Sequence, residues 1–346
     1  MSKPIQHIAV IRLSAMGDVA MTVPVLRAFA KQFPDVKITM VSRPFFKPFF
    51  EGIPNLTFFE FDDKKRHKGF LGLLRLFLDL QKLNVDAFAD LHNVLRSKVI
   101  RNLFAISGTK TAFTDKGRAE KKALTRPGNK IFKPLQLMVE RHIETFEKLG
   151  FSIDLSSPNF PEKAGLSDEI LKISGKKENY HWIGIAPFAQ YQSKVYPADL
   201  MQEVIIELAK NNNFKILLFG GGKEEITLLN TFANGLENVI TIAGKLKFNN
   251  EIQLISNLDV MLSMDSGNAH IAAMLGVKTI TLWGATHPYA GFAPFHQPIE
   301  NCLVSDRTLY PKLPTSIYGN KKVEGYEDVM RTISVESILS AINRNL

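Results

Sequence analysis

The chain has 346 residues, of which 45% are hydrophobic and 22% are charged, as in ordinary soluble globular proteins. This length exceeds the usual limit of one hydrophobic core, so we expect two domains of about 150 to 170 residues. No apolar run approaches the ~20 residues of a membrane span, and residues 1–13 show no signal-peptide pattern, which predicts a cytoplasmic protein. One cysteine, Cys302, excludes an intrachain disulfide and a cysteine-based zinc site.

The positive charge is confined to one half of the chain. Residues 1–150 contain 26 Lys and Arg against 14 Asp and Glu, a net charge of +12, whereas residues 151–346 contain 17 against 20, a net charge of −3. A basic half predicts an anionic partner, which can be nucleic acid, a phosphorylated membrane surface or an acidic substrate. The chain has no helix-turn-helix, zinc-finger or aromatic RNA-binding signature, and this disfavours nucleic acid.

The first half alternates predicted strands with predicted helices, which indicates a doubly wound parallel sheet covered on both faces. The densest basic run of the chain, residues 62–68, follows the third strand. Residues 109–133 are basic and contain few large apolar side chains, so we predict a mobile surface loop there. The predicted strands are 7–13, 36–41, 56–61 and 85–91, and the predicted helices are 19–32, 71–83, one that opens in 92–98, and 134–149.

After a predicted linker at 152–175, the second half repeats this pattern. The predicted domains are therefore an N-terminal Rossmann-like domain, 1–160, and a C-terminal one, 161–330, followed by a helix in 331–346 that we expect to pack back on the N-terminal domain. A ligand is expected in a cleft between the domains, at the carboxyl ends of the strands. The predicted strands are 182–187, 214–219, 239–242, 258–263 and 277–283, and the predicted helices are 198–210, 223–234, 251–256, 267–275 and 335–345.

The stretch 262–276 is a candidate anion site. A buried strand ends in Asp265, Ser266 and Gly267, and a helix of small residues begins there, with His270 in its first turn. Backbone N–H groups and the helix dipole at such a turn favour an anion, typically a phosphate. The alternative is that Asp265 or Ser266 only caps the helix and that His270 lies on the helix surface.

Three further loops fall at predicted strand ends, and one of them, 284–288, follows the predicted strand 277–283. Gly220, Gly221 and Gly222 join a strand to a helix, but their spacing is not that of a phosphate-binding loop and the terminal Ser or Thr is missing. Lys194 lies just before the next predicted helix, where it can neutralise a diphosphate; the alternative is that it is simply exposed.

Two motifs together resemble those of glycosyltransferase family 9, the ADP-heptose:lipopolysaccharide heptosyltransferases. They are RLSAMGDVAMTVPVLRAF at 12–29 and SMDSGNAHIAAMLGVKTITLWGATHP at 263–288. The resemblance implies a GT-B fold, with two Rossmann-like domains facing across a cleft, and inverting transfer of a heptose from ADP-heptose to the inner core of lipopolysaccharide. Intermediate motifs agree in order: Asp90-Leu91-His92, Arg96-Ser97, Gly150, Lys194-Val195-Tyr196-Pro197, the Gly220 loop and Gly244.

The resemblance also implies roles for residues. Asp18 would be the general base that accepts the proton of the acceptor hydroxyl; its alternative role is to cap the following helix. Lys194, Ser266, Gly267 and His270 would stabilise the departing ADP, and Asp265 would orient donor hydroxyls. No Asp-x-Asp pair lies near these loops, so we expect transfer without a metal or other cofactor. The full predicted donor-binding set is Met16, Gly17, Lys194, Gly221, Glu224, Asp265, Ser266, Gly267 and His270.

The acceptor side of the resemblance matches the charge asymmetry. Basic residues of the first half would bind the phosphates and acidic sugars of the lipopolysaccharide core and would hold the enzyme at the inner face of the cytoplasmic membrane without insertion. The predicted acceptor-binding residues are Lys64, Lys65, Arg66, Arg96, Lys98 and Arg101, with Lys68 in the same run.

The chain departs from the family pattern at Ala285, where a proline is usual, and it lacks the cysteine cluster of many members. Three alternatives stay open: a transferase of the same family with a different nucleotide-sugar, a sugar-nucleotide epimerase of like architecture, and a non-catalytic binder of anionic glycolipids on the same scaffold.

Overall fold

The computed structural model describes residues 4–346 and divides into two compact units. The first unit extends to Arg118 and resumes at Gln136–Phe160, and the second comprises Ala119–Leu135 and Pro161–Leu346. None of the helices described within residues 4–346 is long and apolar enough to cross a membrane.

The first unit is built on a five-stranded parallel sheet with strand order β3-β2-β1-β4-β5. Its central strand β1 is an apolar run in which Ile8, Val10 and Ile11 are fully buried, as expected for a strand covered on both faces. The elements are β1 (His7–Ile11), α1 (Met16–Ala20), α2 (Val23–Gln32), β2 (Lys37–Ser42), β3 (Leu56–Glu60), α3 (Gly69–Gln81), β4 (Ala87–Asp90), α4 (Leu95–Ile106), β5 (Lys110–Phe113), α5 (Arg118–Thr125), most of which lies in the second unit, and α6 (Met138–Glu147).

The second unit contains a six-stranded parallel sheet with strand order β11-β10-β9-β6-β7-β8. Its core includes Ile183, Ile216, Leu262 and Ile280, all fully buried. The elements are α7 (Asp168–Ser174), β6 (His181–Ala186), α8 (Ala198–Ala209), β7 (Phe214–Leu218), α9 (Lys223–Ala233), β8 (Val239–Thr241), α10 (Phe248–Ile255), β9 (Val260–Met264), α11 (Gly267–Met274), β10 (Lys278–Trp283), β11 (Cys302–Val304) and α12 (Val335–Asn345).

The predicted mobile loop at 109–133 has more structure than the sequence indicated. Strand β5 occupies its start and helix α5 its middle. Beyond α5 the chain packs within the second unit, where Leu124 and Leu135 are buried with Ala290 and the Arg307 guanidinium lies 3.4 Å from the centre of the Phe132 ring. Two Lys130 Nζ contacts to backbone carbonyl oxygens, each 2.7 Å long, fix this segment further.

Other differences from the sequence predictions are local. The predicted helix 19–32 is two helices, α1 and α2, and Pro24 lies in the first turn of the second, where a missing N–H is tolerated. The predicted linker 152–175 contains the short helix α7. The final helix α12 belongs to the second unit, where it packs on α8, β9 and β10. Its expected packing on the N-terminal domain stays a prediction.

Each sheet has a topological switch point, where the strand order reverses and ligands of open α/β sheets bind. In the first sheet it lies between β1 and β4, which pair directly, with Ile11 opposite Asp90. In the second it lies between β6 and β9, with Ala186 opposite Ser263. The loops that leave these four strands carry most of the candidate site residues.

Candidate functional site

Asp18 lies at the first switch point, in the helix that follows β1. Its carboxylate oxygen is 2.6 Å from Nη2 of Arg12, whose side chain is only 4% exposed. Arg12 is held by two more bonds, which it donates to the backbone oxygens of Ser14 (2.8 Å) and Leu91 (2.7 Å). Asp18 also accepts a bond from the amide of Ala15. Asp18 is therefore both part of a helix start and the partner of a buried cation.

The predicted donor residues Met16 and Gly17 open the same helix and are half-buried. Two residues that we had not assigned to a ligand complete the surroundings of Asp18. His92 follows β4 and is 8% exposed, and burial, with Arg12 and Lys116, lowers its pKa to about 3, so it is neutral at physiological pH. Burial and the charge of Arg12 lower the pKa of Lys116 to about 8, although Asp18 acts in the opposite direction. The cluster thus contains one permanent and one titratable cation.

Lys194 and Asp265 meet at the second switch point. Nζ of Lys194 lies 2.9 Å from Oδ2 of Asp265, and the two side chains are 13% and 10% exposed. The same oxygen accepts a bond of 2.8 Å from the hydroxyl of Thr286, which follows β10. Residues that follow three neighbouring strands, β6, β9 and β10, therefore meet at the Asp265 carboxylate. Lys194 is largely buried and paired with this carboxylate, and it is not an exposed lysine.

The position of Lys194 is restricted by the close approach of Gly319 and by the hydrogen bonds of the neighbouring Ser193. The hydroxyl of Ser193 donates to the carbonyl of Gly319 at 2.6 Å, and the carbonyl of Ser193 accepts from the amide of Ala285 at 3.0 Å. A Cβ at Gly319, whose φ is +81°, would lie 2.6 Å from Cδ of Lys194. The sequence analysis included Thr286 only as part of the motif 263–288 and did not single out Gly319, because nothing in the chain order shows that these residues lie beside Lys194.

Ser266 occupies the N-cap position of α11 but makes no side-chain capping bond. Its hydroxyl instead lies 3.1 Å from that of Ser263. The start of α11, at Gly267, is therefore left without a side-chain cap, which keeps its amides available to an anion. His270 is buried at 7% exposure and so does not lie on the helix surface.

The glycine loop after β7 is organised by Glu225. Its carboxylate accepts a bond of 2.7 Å from the amide of Gly221, while Gly222 adopts a φ of +89° and precedes α9. A Cβ at Gly221 would meet no atom within 4 Å. Glu224, the predicted donor residue, is exposed in the first turn of α9. The loop therefore presents an open backbone surface at Gly221.

The predicted acceptor-binding residues fall into two groups. Lys64, Lys65, Lys68 and Arg96 are exposed and Lys98 is half-buried. The other two arginines are engaged by carboxylates of the chain: Arg66 makes two bonds of 2.7 Å to Asp79, and Arg101 lies 3.2 Å from the fully buried Asp90. Burial raises the pKa of Asp90, although Arg101 acts against this shift. Arg101 thus neutralises a carboxylate of the core.

Within residues 4–346, no group of three or more His, Cys, Asp or Glu side chains is arranged to hold a metal ion. The predicted independence from metal remains a prediction.

The sequence of this chain matches a known protein family. The model of glycosyltransferase family 9 (heptosyltransferase) matches residues 73–319. Lipopolysaccharide heptosyltransferase 1 of Campylobacter coli is 27% identical over 303 residues, which cover 82% of this chain and 85% of that protein. The range matched by the family model includes both switch-point loops of the second unit, whereas the Asp18 motif lies before this range.

Solved structures extend the similarity to the whole chain at the level of fold. A family 9 glycosyl transferase from Veillonella parvula DSM 2008 has a TM-score of 0.76 at 20% identity, covering 100% of this chain and 98% of that one. The E. coli heptosyltransferase WaaC with ADP has a TM-score of 0.68 at 18% identity, covering 98% of this chain and 100% of that one. These matches confirm the predicted GT-B class of two parallel-sheet α/β domains. With the family match over most of its length, the chain belongs to glycosyltransferase family 9, the heptosyltransferase family.

Proposed function

We propose that this enzyme is an inverting heptosyltransferase that moves a heptose from ADP-heptose to the inner core of lipopolysaccharide. The observation that carries the proposal is that both motif carboxylates, Asp18 and Asp265, lie at the switch points of their sheets, each paired with a cation of its own unit. The similarity to lipopolysaccharide heptosyltransferase 1 of Campylobacter coli supports the substrate class.

In the proposed reaction, an acceptor hydroxyl attacks the anomeric carbon of the heptose. Asp18 accepts the hydroxyl proton, the new carbon–oxygen bond forms, and the bond from the anomeric carbon to ADP breaks with its electron pair on the phosphate oxygen. Arg12 holds the Asp18 carboxylate in one orientation through the ion pair and the two backbone bonds. A carboxylate at a helix N-terminus is a weak base in the ground state, but the attacking hydroxyl becomes more acidic as its bond to carbon forms.

The second unit would bind the leaving ADP. Lys194 supplies a positive charge in a largely buried setting, and the uncapped start of α11 at Gly267 supplies amides and the positive end of a helix dipole. Both stabilise negative charge that develops as the bond to the sugar breaks. These groups supply the electrostatic role that a divalent ion has in other transferases, so we propose transfer without a metal.

Charge supports the proposed location. The net +12 of residues 1–150 suits an anionic lipopolysaccharide core and the inner face of the cytoplasmic membrane, where the enzyme would be a peripheral protein.

The test compares Asp18→Asn with Asp35→Asn, an exposed carboxylate away from the site. With ADP-heptose and a heptose-free inner-core acceptor, Asp18→Asn should lower kcat by about 10² to 10⁴. Calorimetric affinity for ADP should be unchanged in both variants, and EDTA should not reduce wild-type turnover. Turnover of Asp18→Asn within a few-fold of wild type would remove the general base from the proposal. Binding of core fragments without binding of ADP would favour a non-catalytic glycolipid binder.

A further inference from the structure

Helix α3 is apolar on two opposite faces. Leu73, Leu76 and Leu80 are buried in the core of the first unit. On the other side, Phe70, Leu71 and Leu78 are 66%, 67% and 53% exposed. A surface helix of a soluble protein normally presents polar residues to water, and a contiguous exposed apolar stripe marks a surface that contacts another molecule or a membrane. The half-buried Leu74 lies between Phe70 and Leu78 on this stripe.

Cations surround the stripe. Arg75 and Lys82 lie along its edge at helical spacing and are exposed, and Lys64, Lys65 and Lys68 are exposed immediately before the helix. The neighbouring helix α4, which packs against α3, contains Arg96 and Lys98 and no acidic residue, and its third cation, Arg101, is paired with Asp90. The acidic residue of α3 itself, Asp79, accepts two bonds from Arg66, which lower the pKa of Asp79 to about 2, and its Oδ1 also lies 3.8 Å from Nζ of Lys82.

The basic loop is fixed to the helix. The buried ring of His67 is stacked on Phe61, at 5.7 Å between ring centres, and the Asp62 carboxylate accepts bonds from the amides of Lys64 and Lys65. Gly72 packs so closely on the backbone of His67 that a Cβ there would collide with it. The backbone that carries the lysines therefore keeps a defined position beside the apolar stripe.

We propose that α3 and the loop before it form a docking surface for an anionic lipid bilayer, into which Phe70, Leu71, Leu74 and Leu78 insert at headgroup depth. An apolar face bordered by Lys and Arg has the chemistry of an interfacial membrane helix. A second copy of this chain fits less well, because self-association would bring the same cations together. This inference rests on the proposed membrane location and names α3 as the helix that contacts the membrane. It differs from the prediction made from the sequence, which was membrane contact without insertion.

Vesicle binding tests the proposal without turnover, so its failure would leave the proposed transfer reaction untouched. The full chain is sedimented with vesicles of phosphatidylglycerol and phosphatidylethanolamine, and with phosphatidylcholine vesicles. We expect binding to the first only, weakened by salt. The double variant Leu71→Ser/Leu78→Ser and the triple variant Lys64→Gln/Lys65→Gln/Lys68→Gln should each bind at least 10-fold more weakly. Leu309→Ser, which changes a leucine of 68% exposure in the second unit, and Asp18→Asn should bind as wild type does.

Tryptophan fluorescence of the variant Leu71→Trp measures insertion separately. Trp182 and Trp283 are 0% and 1% exposed, so their emission should not respond to lipid, and a blue shift on adding anionic vesicles reports Trp at position 71. Leu309→Trp should show no shift. Undiminished binding by the leucine variant, or no blue shift, would overturn insertion. A wild-type dimer that dissociates in the leucine variant would assign the stripe to a second copy instead.

Discussion

Arg12 and Asp18 form an ion pair of 2.6 Å in which the arginine is almost fully buried and the carboxylate is partly accessible, at 4% and 28% side-chain exposure. The second unit repeats this relationship at its own switch point, where Lys194 and Asp265 lie 2.9 Å apart. In both units a cation that follows the first strand of the switch-point pair thus lies against a carboxylate, which belongs to helix α1 in the first unit and directly follows β9 in the second. This arrangement keeps each charged group oriented before a ligand arrives, which lowers the cost of organising the reacting groups.

Arg12→Lys should separate charge from orientation. A lysine keeps the positive charge but cannot donate to Asp18, Ser14 and Leu91 in the fixed geometry of a guanidinium. We expect kcat to fall by about 10- to 100-fold, because a misplaced base costs rate even when it is present. Steady-state kinetics and ADP calorimetry check this: ADP affinity should not change, and an unchanged kcat would show that Arg12 does not position Asp18.

Gly319→Ala should weaken donor binding through Lys194. The new methyl group would contact the Lys194 side chain at a backbone φ of +81°, and Lys194 would have to move from Asp265. We expect the KM for the nucleotide-sugar to rise about 10-fold, the typical effect of losing ~1.4 kcal/mol of binding. Gly325→Ala is the matched control, because Gly325 has a similar φ of +76° but no atom within 4 Å of the added Cβ. Equal KM values for the two variants would mean that backbone strain alone is responsible.

The sequence predicted the parallel strands of both sheets well, because each is an apolar run bounded by turn residues, as in 214–219, which the structure places at Phe214–Leu218. It missed β5 and β11, which are short edge strands with partly exposed side chains, so their apolar signal is weak. The sequence analysis missed helix α5 because its many charged residues predicted an exposed loop. Lys121 is nevertheless buried, with its Nζ 4.1 Å from the centre of the Phe292 ring, and composition cannot reveal such a contact.

The site was predictable only where residues are neighbours in sequence. The sequence shows the Asp265–His270 turn as one motif and Lys194 as part of another. The ion pair between Lys194 and Asp265 depends on the adjacency of β6 and β9, which the order of residues does not show. His92 and Lys116 approach Asp18 for the same reason, through the pairing of β1, β4 and β5. From the sequence, Arg66 and Arg101 were predicted to bind phosphates of the acceptor. In the structure they are bound to Asp79 and Asp90, which lie 13 and 11 residues away in the chain.

Arg101→Ala should destabilise the protein more than it changes acceptor binding. Asp90 is fully buried, and removing Arg101 leaves its charge without the cation 3.2 Å away. Breaking a buried pair from one side typically costs about 3 to 5 kcal/mol of unfolding free energy. Arg96→Ala, which removes a 58%-exposed side chain 4.0 Å from Asp63, should change stability by less than about 1 kcal/mol. Denaturant unfolding checks both, and equal midpoints would contradict this role of Arg101.

Lys116 should give acceptor binding a pH dependence near pH 8. Its pKa is lowered to about 8, so the folded protein loses this cation as pH rises through that value, beside Asp18 and Arg12. We expect the KM for the anionic acceptor to rise between pH 7 and 9, and Lys116→Arg, which stays charged, to abolish this rise. Since the unfolded lysine holds its proton up to about pH 10.4, folding stability should increase from pH 8 to pH 10 in the wild type and less so in Lys116→Gln.

The control for this pH dependence is another lysine with the same shift. The pKa of Lys130 is also lowered to about 8, first by burial and then by Arg307, but Lys130 belongs to the second unit, where its Nζ contacts the backbone oxygens of Lys312 and Pro314. Lys130→Arg should therefore leave the rise in acceptor KM between pH 7 and 9 as it is in the wild type. If Lys130→Arg removed the rise and Lys116→Arg did not, the titrating cation that the acceptor senses would belong to the second unit, and the acceptor would have to be reassigned from the Asp18 cluster.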